Sequence, residues 1–143
     1  MLKGIPSILS PDLLKILMEM GHGDEIILGD GNFPAASYAR RLVRLDGHGV
    51  CEVLDAILKF FPLDIFVEKP VTLMAVVPGD KIEPSIWEEY MSIIKKYDTH
   101  VKEFEFVERL KFYERTEKAY AVVATGEAAR YANIILKKGI IES

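Results

Sequence analysis

Two ionisable side chains flank a short apolar segment near the start of the chain. His22 lies between two glycines in Gly21-His22-Gly23, and Asp30 stands at the far end of the segment. Histidine gives up and takes back a proton near neutral pH, and flanking glycines allow the sharp bend that leaves its ring accessible. A carboxylate can accept two hydroxyl hydrogen bonds. The pair therefore suits acid/base chemistry on a ligand that carries hydroxyl groups.

Each of these residues also has a structural interpretation that the local sequence leaves open. A histidine in a glycine turn can be an ordinary surface residue, and an aspartate before Gly31-Asn32 can simply stabilise a turn. Asp24 and Glu25 fit solvated or capping charges. A metal site is disfavoured, because His48 and His100 lie far along the chain and no histidine pair has the close spacing of a zinc site.

Two glycine-containing segments bear on phosphate binding, and neither supports it. Gly21-His22-Gly23 does not continue to a third glycine at the dinucleotide-binding spacing, where Ile26 stands instead. Ala124-Thr125-Gly126-Glu127 joins a strand to a predicted helix start, whose free N–H groups could hold an anion. Glu127 would repel a phosphate there, so an uncharged ligand fits better.

Length and composition narrow the class of protein. The 143 residues carry a net charge of −4 and a single cysteine. Such a length predicts one domain, residues 1–143. The acidic balance argues against nucleic-acid binding, and no apolar run approaches the roughly 18 residues of a membrane span. The start of the chain lacks the apolar core of a signal peptide, and one thiol builds no disulfide framework, so we expect a cytoplasmic protein.

Strand and helix patterns alternate along the whole chain. Ser10-Pro11-Asp12 predicts the start of a first helix, and Gly21 a stop. The predicted strands are residues 25–29, 42–45, 71–77, 104–107, 120–125 and 134–136. The further predicted helices are residues 50–61, 84–97, 112–118 and 126–131, with a loop or irregular helix over 33–41. This alternation predicts an α/β fold, a mixed or mostly parallel sheet flanked by helices, with ligands beyond the carboxyl ends of strands.

Segments spread over the chain resemble a known family when they are taken together. They are Met1-Leu2-Lys3-Gly4-Ile5, residues 9–14, Glu19-Met20-Gly21-His22-Gly23-Asp24-Glu25-Ile26-Ile27, Asp30 to Pro34, residues 76–80, Phe112-Tyr113-Glu114-Arg115, Thr125-Gly126-Glu127 and residues 131–139. Their types and order are similar to those of the L-fucose mutarotases, which are related to the D-ribose pyranases. The resemblance covers essentially the whole chain.

The resemblance implies roles for five residues. His22 matches the family's proton-donating histidine, and Asp30 matches its sugar-binding aspartate. Arg109 matches an arginine of the fucose branch, where ribose pyranases carry histidine. Tyr131 and Asn133 match a late Tyr-x-Asn motif that contacts the sugar, and Tyr131 is also a candidate proton relay.

The same resemblance implies an enzyme without cofactor or metal and with a free monosaccharide as substrate. It also implies a homo-oligomer, decameric in bacterial members, with sites completed across subunit contacts. Some bacterial members have histidine where Asn32 stands. Two alternatives remain at this point: an anomerase of the D-ribose pyranase type, and a monosaccharide-binding protein without catalytic activity.

Overall fold

The computed structural model describes all 143 residues, with six strands and five helices. In chain order the elements are α1 (Pro11–Glu19), β1 (Glu25–Gly29), α2 (Ala35–Tyr38), β2 (Leu42–Leu45), α3 (Val50–Leu58), β3 (Val71–Met74), α4 (Ile86–Tyr97), β4 (Glu105–Val107), α5 (Arg109–Lys118), β5 (Ala121–Thr125) and β6 (Ile134–Lys137). None of the helices combines the length and the apolarity that crossing a membrane requires.

The six strands form one mixed sheet in the order β2-β5-β1-β6-β3-β4. Only β6 is antiparallel to its neighbours, β1 and β3, and the other pairings are parallel. The carboxyl ends of the other five strands therefore meet along one edge of the sheet, together with the start of β6. We call this the carboxyl edge. The predicted α/β fold with a mixed sheet is confirmed.

Strand β1 lies inside the sheet with helices on both of its faces. Ile26 and Leu28 belong to the core that α1, α3 and α4 cover, whereas Ile27 packs on the opposite side with Phe112 of α5. Side chains alternate between the faces of a strand, so an apolar core on each face needs a continuous apolar segment. This burial explains the run of apolar residues between the two ionisable positions noted in the sequence.

The predicted helix over residues 126–131 is wrong, because this segment is an irregular turn. The Glu127 carboxylate accepts a hydrogen bond from the Ala129 N–H at 3.1 Å. This side-chain acceptor gives the backbone N–H an alternative to helical hydrogen bonding. Tyr131 then adopts a left-handed backbone with φ of 58°, which ends any helical path.

Several predicted ends differ from the structure by a few residues. Helix α3 ends at Leu58 and strand β3 at Met74, each three residues before the predicted end. Helix α5 begins three residues earlier than predicted, at Arg109, because the Glu108 carboxylate accepts hydrogen bonds from two backbone N–H groups of its first turn. Arg109 follows the last residue of β4, Val107, by two residues, so it lies at the carboxyl edge.

Candidate functional site

A cavity of about 190 Å³ opens at the carboxyl edge, between the loop after β1 and the turn before β6. Three of the five predicted site residues, Asp30, Tyr131 and Asn133, line it together. The complete lining is Asp30, Asn32, Phe33, Met74, Tyr113, Arg130, Tyr131 and Asn133. A lining that combines apolar and aromatic side chains with a few polar groups is usual for a small-molecule site.

Asp30 and Asn133 are held together although they are far apart in the chain. The Asn133 Oδ1 accepts the Asp30 backbone N–H at 2.8 Å, and the Asp30 Oδ1 accepts the Asn32 N–H at 3.0 Å. Both side chains are buried. Since the amide oxygen of Asn133 is occupied, its NH₂ group is the part available to donate to a ligand, while the carboxylate of Asp30 is an acceptor.

The environment of Asp30 changes its acidity. Burial raises the pKa of its carboxyl above the usual aspartate value, the nearby Glu127 adds to the rise, and hydrogen bonds from backbone N–H groups of Asn32, Phe33 and Ala132 oppose it. A raised pKa follows when the loss of solvation of the charged form outweighs the hydrogen bonds that stabilise it. Asp30 therefore gains its proton at a higher pH than an exposed aspartate.

The turn that carries Tyr131 is anchored from behind by helix α4. Trp87 donates from Nε1 to the Tyr131 carbonyl at 2.8 Å, and Tyr90 donates from its hydroxyl to the Ala132 carbonyl at 2.6 Å. A left-handed tyrosine persists only where surrounding contacts hold it. Helix α4 thus fixes the backbone of Tyr131 and Ala132, directly before Asn133.

Removing the Tyr90 hydroxyl tests this anchoring. In Tyr90→Phe the buried Ala132 carbonyl loses its donor, so we expect the free energy of unfolding to fall by about 1–3 kcal/mol. Urea denaturation measures the change. Tyr97→Phe is the matched control, because the Tyr97 hydroxyl bonds Asp55 at an exposed position, and there we expect a loss below about 1 kcal/mol. Equal losses in the two variants would contradict the anchoring role.

Aromatic and apolar side chains complete the lining of the cavity. Phe33 meets Tyr113 edge-on with ring centroids 5.7 Å apart, and Met74 lies beside them in the lining. The Arg109 guanidinium lies over the Tyr113 ring, 5.5 Å from its centroid. Arg109 is therefore next to the cavity rather than part of its lining, and it touches the site through Tyr113.

His22 lies at the other end of β1, away from this cavity. It precedes Glu25, the first residue of β1, whereas Asp30 follows Gly29, the last. At about 3.3 Å per residue, the strand alone holds its two ends roughly 13 Å apart. Within one chain the structure therefore does not bring His22 to the cavity that contains Asp30.

A second carboxylate accompanies His22. Its Nε2 lies 3.1 Å from the Oδ1 of Asp64, and its ring is tilted against Phe66 with centroids 5.4 Å apart. Burial opposes ionisation of Asp64, but hydrogen bonds from the Phe66 N–H and from His22 outweigh it, so its pKa lies below the usual value. The His22 side chain remains 46% exposed, so its ring can reach a group outside its own chain.

His22, Asp24 and Asp30 carry side chains that can bind a metal ion, but the structure does not bring them together. His22 and Asp24 lie at the start of β1 and Asp30 lies beyond its end, so the three share no site. Sequence reasoning also missed residues that the cavity contains. Tyr113 could have been found, since it lies one helical turn after Arg109 and four-residue spacing places side chains on one helix face. Phe33, Met74 and Arg130 carry no comparable sequence signal.

Known proteins resemble this chain over nearly its full length. An L-fucose mutarotase of Actinobacillus pleuropneumoniae is 51% identical over 140 residues, which cover 98% of this chain and 97% of that protein. A human fucose mutarotase is 49% identical over 146 residues, covering 98% of this chain and 94% of the human protein.

A solved structure agrees with this likeness. The crystal structure of a fucose mutarotase from Streptococcus pneumoniae in complex with L-fucose is similar with a TM-score of 0.92 and 52% identity, covering 99% of this chain and all of the other. A model of the family described as the RbsD / FucU transport protein family matches residues 3–141. With its mixed sheet, its carboxyl-edge cavity and these full-length similarities, the chain belongs to the RbsD / FucU family.

Proposed function

We propose that this protein interconverts the α and β anomers of free L-fucose. The observation that carries the proposal is the cavity lined by Asp30, Tyr131 and Asn133, in a chain about half identical to fucose mutarotases along its whole length. The cavity offers a buried acceptor, an amide donor and a phenol to an uncharged ligand. That set of groups matches the hydroxyls of a monosaccharide.

Mutarotation requires two proton movements and no oxidation or reduction. A proton is delivered to the ring oxygen, and a proton is removed from the anomeric hydroxyl. The ring opens to the aldehyde, the carbonyl turns its other face, and the reverse movements close the ring. Such a reaction needs no cofactor, and one well-placed acid or base accelerates it by roughly 10²–10⁴-fold.

In the proposed complex, different cavity residues make different contacts with the sugar. Asp30 accepts sugar hydroxyls, Asn133 donates to one, and Arg109 contributes from the margin. Phe33 and Met74 add a buried apolar patch to the cavity lining. L-Fucose is a 6-deoxy sugar, and its methyl group suits such a patch, because burying a CH₂-sized group contributes about 0.8 kcal/mol.

His22 acts, in this proposal, on a sugar bound by a neighbouring copy of the chain. In its own chain β1 separates His22 from the cavity. Its ring is half exposed, and Asp64 fixes the ring from the protein side through Nε2. The other ring nitrogen can then face a neighbouring subunit and serve as the acid for the ring oxygen.

Exposed apolar side chains near His22 and near Arg109 support an assembly of several copies of the chain. Beside His22, Ile65 is 53% exposed and Phe66 is 65% exposed; beside Arg109, Leu110 is 62% exposed. Exposed apolar side chains around a half-exposed histidine fit a surface that another copy covers. We propose a head-to-tail contact, in which the His22 surface of one copy meets the Arg109 surface of the next, and a ring of such contacts, as in a decamer.

One set of measurements distinguishes an L-fucose mutarotase from a D-ribose pyranase and from a binding protein without catalytic activity. Magnetisation transfer between the α and β anomeric protons is recorded by NMR for L-fucose and D-ribose side by side. We expect exchange to rise with protein concentration for L-fucose far more than for D-ribose. Faster exchange of D-ribose would favour the ribose pyranase type. Binding of L-fucose with exchange at the buffer rate would favour a monosaccharide-binding protein without catalytic activity.

A related sugar tests the apolar patch. L-Galactose differs from L-fucose by a hydroxyl on C6, so it places a polar group where Phe33 and Met74 offer no hydrogen bond. We expect its affinity to be roughly 10-fold lower, because burying an unpaired hydroxyl costs about 1–3 kcal/mol. Equal affinity for both sugars would contradict the position of the methyl group.

The raised pKa of Asp30 predicts how sugar affinity changes with pH. Its ionised form accepts the hydroxyl hydrogen bonds, so binding is complete above this pKa and weakens as the pH falls through it. We expect the affinity for L-fucose, measured by calorimetry, to decline at a higher pH than an ordinary aspartate would cause. Asp30→Asn should bind weakly at every pH and lack this decline. A decline that persists in Asp30→Asn would assign it to another group.

We place the enzyme in the cytoplasm. Burial raises the pKa of the single thiol, Cys51, to about 11, so it is a poor nucleophile and a poor site for disulfide exchange. As the single cysteine of the chain, it has no partner for an internal disulfide, which is consistent with a reducing compartment.

A further inference from the structure

Asp80, in the turn after β3, touches the cavity only through other side chains. Its Oδ2 accepts the Tyr131 hydroxyl at 2.9 Å, and the same oxygen pairs with the Arg130 guanidinium. Its Oδ1 accepts the Ile82 N–H at 3.3 Å, which fixes the carboxylate within its turn. Tyr131 and Arg130 line the cavity, whereas Asp80 does not. The carboxylate thus lies directly behind two ligand-facing side chains.

Two hydrogen bonds determine in which direction the Tyr131 hydroxyl donates its proton. It donates to Asp80, and it accepts the Val77 backbone N–H at 3.1 Å. A phenol carries one proton, so a hydroxyl that donates to Asp80 has none left to donate to a ligand. The remaining face of the oxygen can only accept a hydrogen bond. Without the carboxylate, the hydroxyl could rotate and act as a donor.

We propose that Asp80 is a positioning residue that holds the Tyr131 hydroxyl as a hydrogen-bond acceptor for the anomeric hydroxyl of the sugar. The inference rests on the proposed function, since it assigns the group that receives the second proton of the reaction. The O–H bond of the sugar breaks as a new O–H bond forms on Tyr131. The original phenol O–H bond breaks as its proton passes to Asp80. The reverse steps return both protons when the ring closes.

The charge of Asp80 agrees with this direction. The hydrogen bond from the Tyr131 hydroxyl lowers the pKa of the carboxyl, burial partly opposes it, and contacts with the Ile82 N–H and Arg130 lower it further. Asp80 is therefore ionised throughout the neutral range. An ionised carboxylate can only accept a hydrogen bond, so in the resting enzyme the Tyr131 hydroxyl donates to Asp80.

A double-mutant cycle with Tyr131 tests the proposal. Exchange of L-fucose is measured by magnetisation transfer for wild type, Asp80→Asn, Tyr131→Phe and the double variant. We expect Asp80→Asn to lower kcat roughly 10-fold or more with a smaller change in KM, because the amide can donate to the phenol and reverse its direction. In the Tyr131→Phe background the same substitution should have no further effect, since residues that act as one unit are not additive.

A control variant separates this role from the general effect of removing an exposed carboxylate. Asp46→Asn removes the carboxylate of an exposed pair with Arg44 at the same edge of the sheet, and we expect its kcat to equal that of wild type. If the effects of Asp80→Asn and Tyr131→Phe add in the double variant, the proposal is overturned.

The proposal can still be tested if Asp80→Asn does not fold, and its failure can be told apart from failure of the proposed function. Should Asp80→Asn fail to fold, Tyr131→Phe alone must lower kcat more than it raises KM, and an unchanged kcat overturns the inference. Wild-type protein that leaves L-fucose exchange at the buffer rate would instead contradict the proposed function. An active wild type with additive variants would contradict only the role of Asp80.

Discussion

His22→Ala is expected to abolish the acceleration of L-fucose exchange while leaving sugar affinity nearly unchanged. The histidine lies outside the cavity of its own chain, and in the proposed assembly it delivers the proton to the ring oxygen rather than holding the sugar. Loss of a positioned acid costs roughly 10²–10⁴-fold in rate. Magnetisation transfer measures the exchange, and calorimetry on the same samples measures the affinity.

His48→Ala is the matched control. His48 also pairs with a carboxylate at 3.1 Å, that of Glu52, and its side chain is 42% exposed against 46% for His22. We expect its exchange rate to equal that of wild type. Added imidazole should restore part of the activity of His22→Ala. It should leave the activity of His48→Ala unchanged. A fully active His22→Ala variant would exclude the histidine as the acid.

Gly126→Ala is expected to give the largest loss of stability near the site. A Cβ at this position would lie 2.0 Å from the Asp46 carbonyl oxygen, and backbone cannot move away as a flexible side chain can. Separating the two segments would also break the bond from the Gly126 N–H to the His48 carbonyl, now 2.9 Å. We expect the free energy of unfolding to fall by about 3 kcal/mol or more.

The same turn supplies the control for this prediction. Nothing lies within 4 Å of a Cβ built on Gly47, and its backbone is outside the left-handed region. Gly47→Ala should therefore change the free energy of unfolding by less than about 1 kcal/mol, with a slight gain possible from a less flexible unfolded chain. Urea denaturation of both variants decides: similar stabilities would show that the close approach at Gly126 is not tight.

Sugar affinity is expected to fall in Gly126→Ala as well. The next residue, Glu127, accepts the Gly31 N–H at 2.8 Å through its carbonyl, and Gly31 directly follows Asp30. A shift at Gly126 is therefore passed to the loop that carries the carboxylate. A destabilised variant with wild-type affinity would show that the two loops move independently.

The elements of the fold were predictable because their signals are local. Apolar runs, caps and glycine stops gave the six strands and most helices to within a few residues. The strand order was not predictable, since it depends on pairings such as β1 with β6 between distant parts of the chain. The hydrogen bond between Asp30 and Asn133 is of the same kind, and only their resemblance to a known motif connected them in the sequence.

The turn before β6 shows where local propensity fails. Glu127, Arg130 and the alanines between them favour a helix in isolation. Contacts from Trp87 and Tyr90, about forty residues earlier, hold the segment in another conformation. Packing with distant residues therefore overrides local propensity in this turn.

The separation of His22 and Asp30, by contrast, could be predicted from the sequence. A predicted strand between two residues places them at opposite ends of that strand. Two residues that act on one ligand from opposite edges of a sheet require two chains. The structure adds the surroundings that the sequence could not supply, namely Asp64 behind the histidine and exposed Phe66 beside it.

Mixing two inactive variants tests the central claim most directly. His22→Ala keeps the cavity and lacks the acid, whereas Asp30→Ala keeps the acid and lacks the carboxylate of the cavity. When the two are coexpressed and assembled together, about a quarter of head-to-tail contacts join an intact histidine to an intact cavity. We predict that L-fucose exchange, absent in each variant alone, returns to roughly that fraction of the wild-type rate. Exchange that stays at the buffer rate in mixed assemblies would contradict a site shared between two copies.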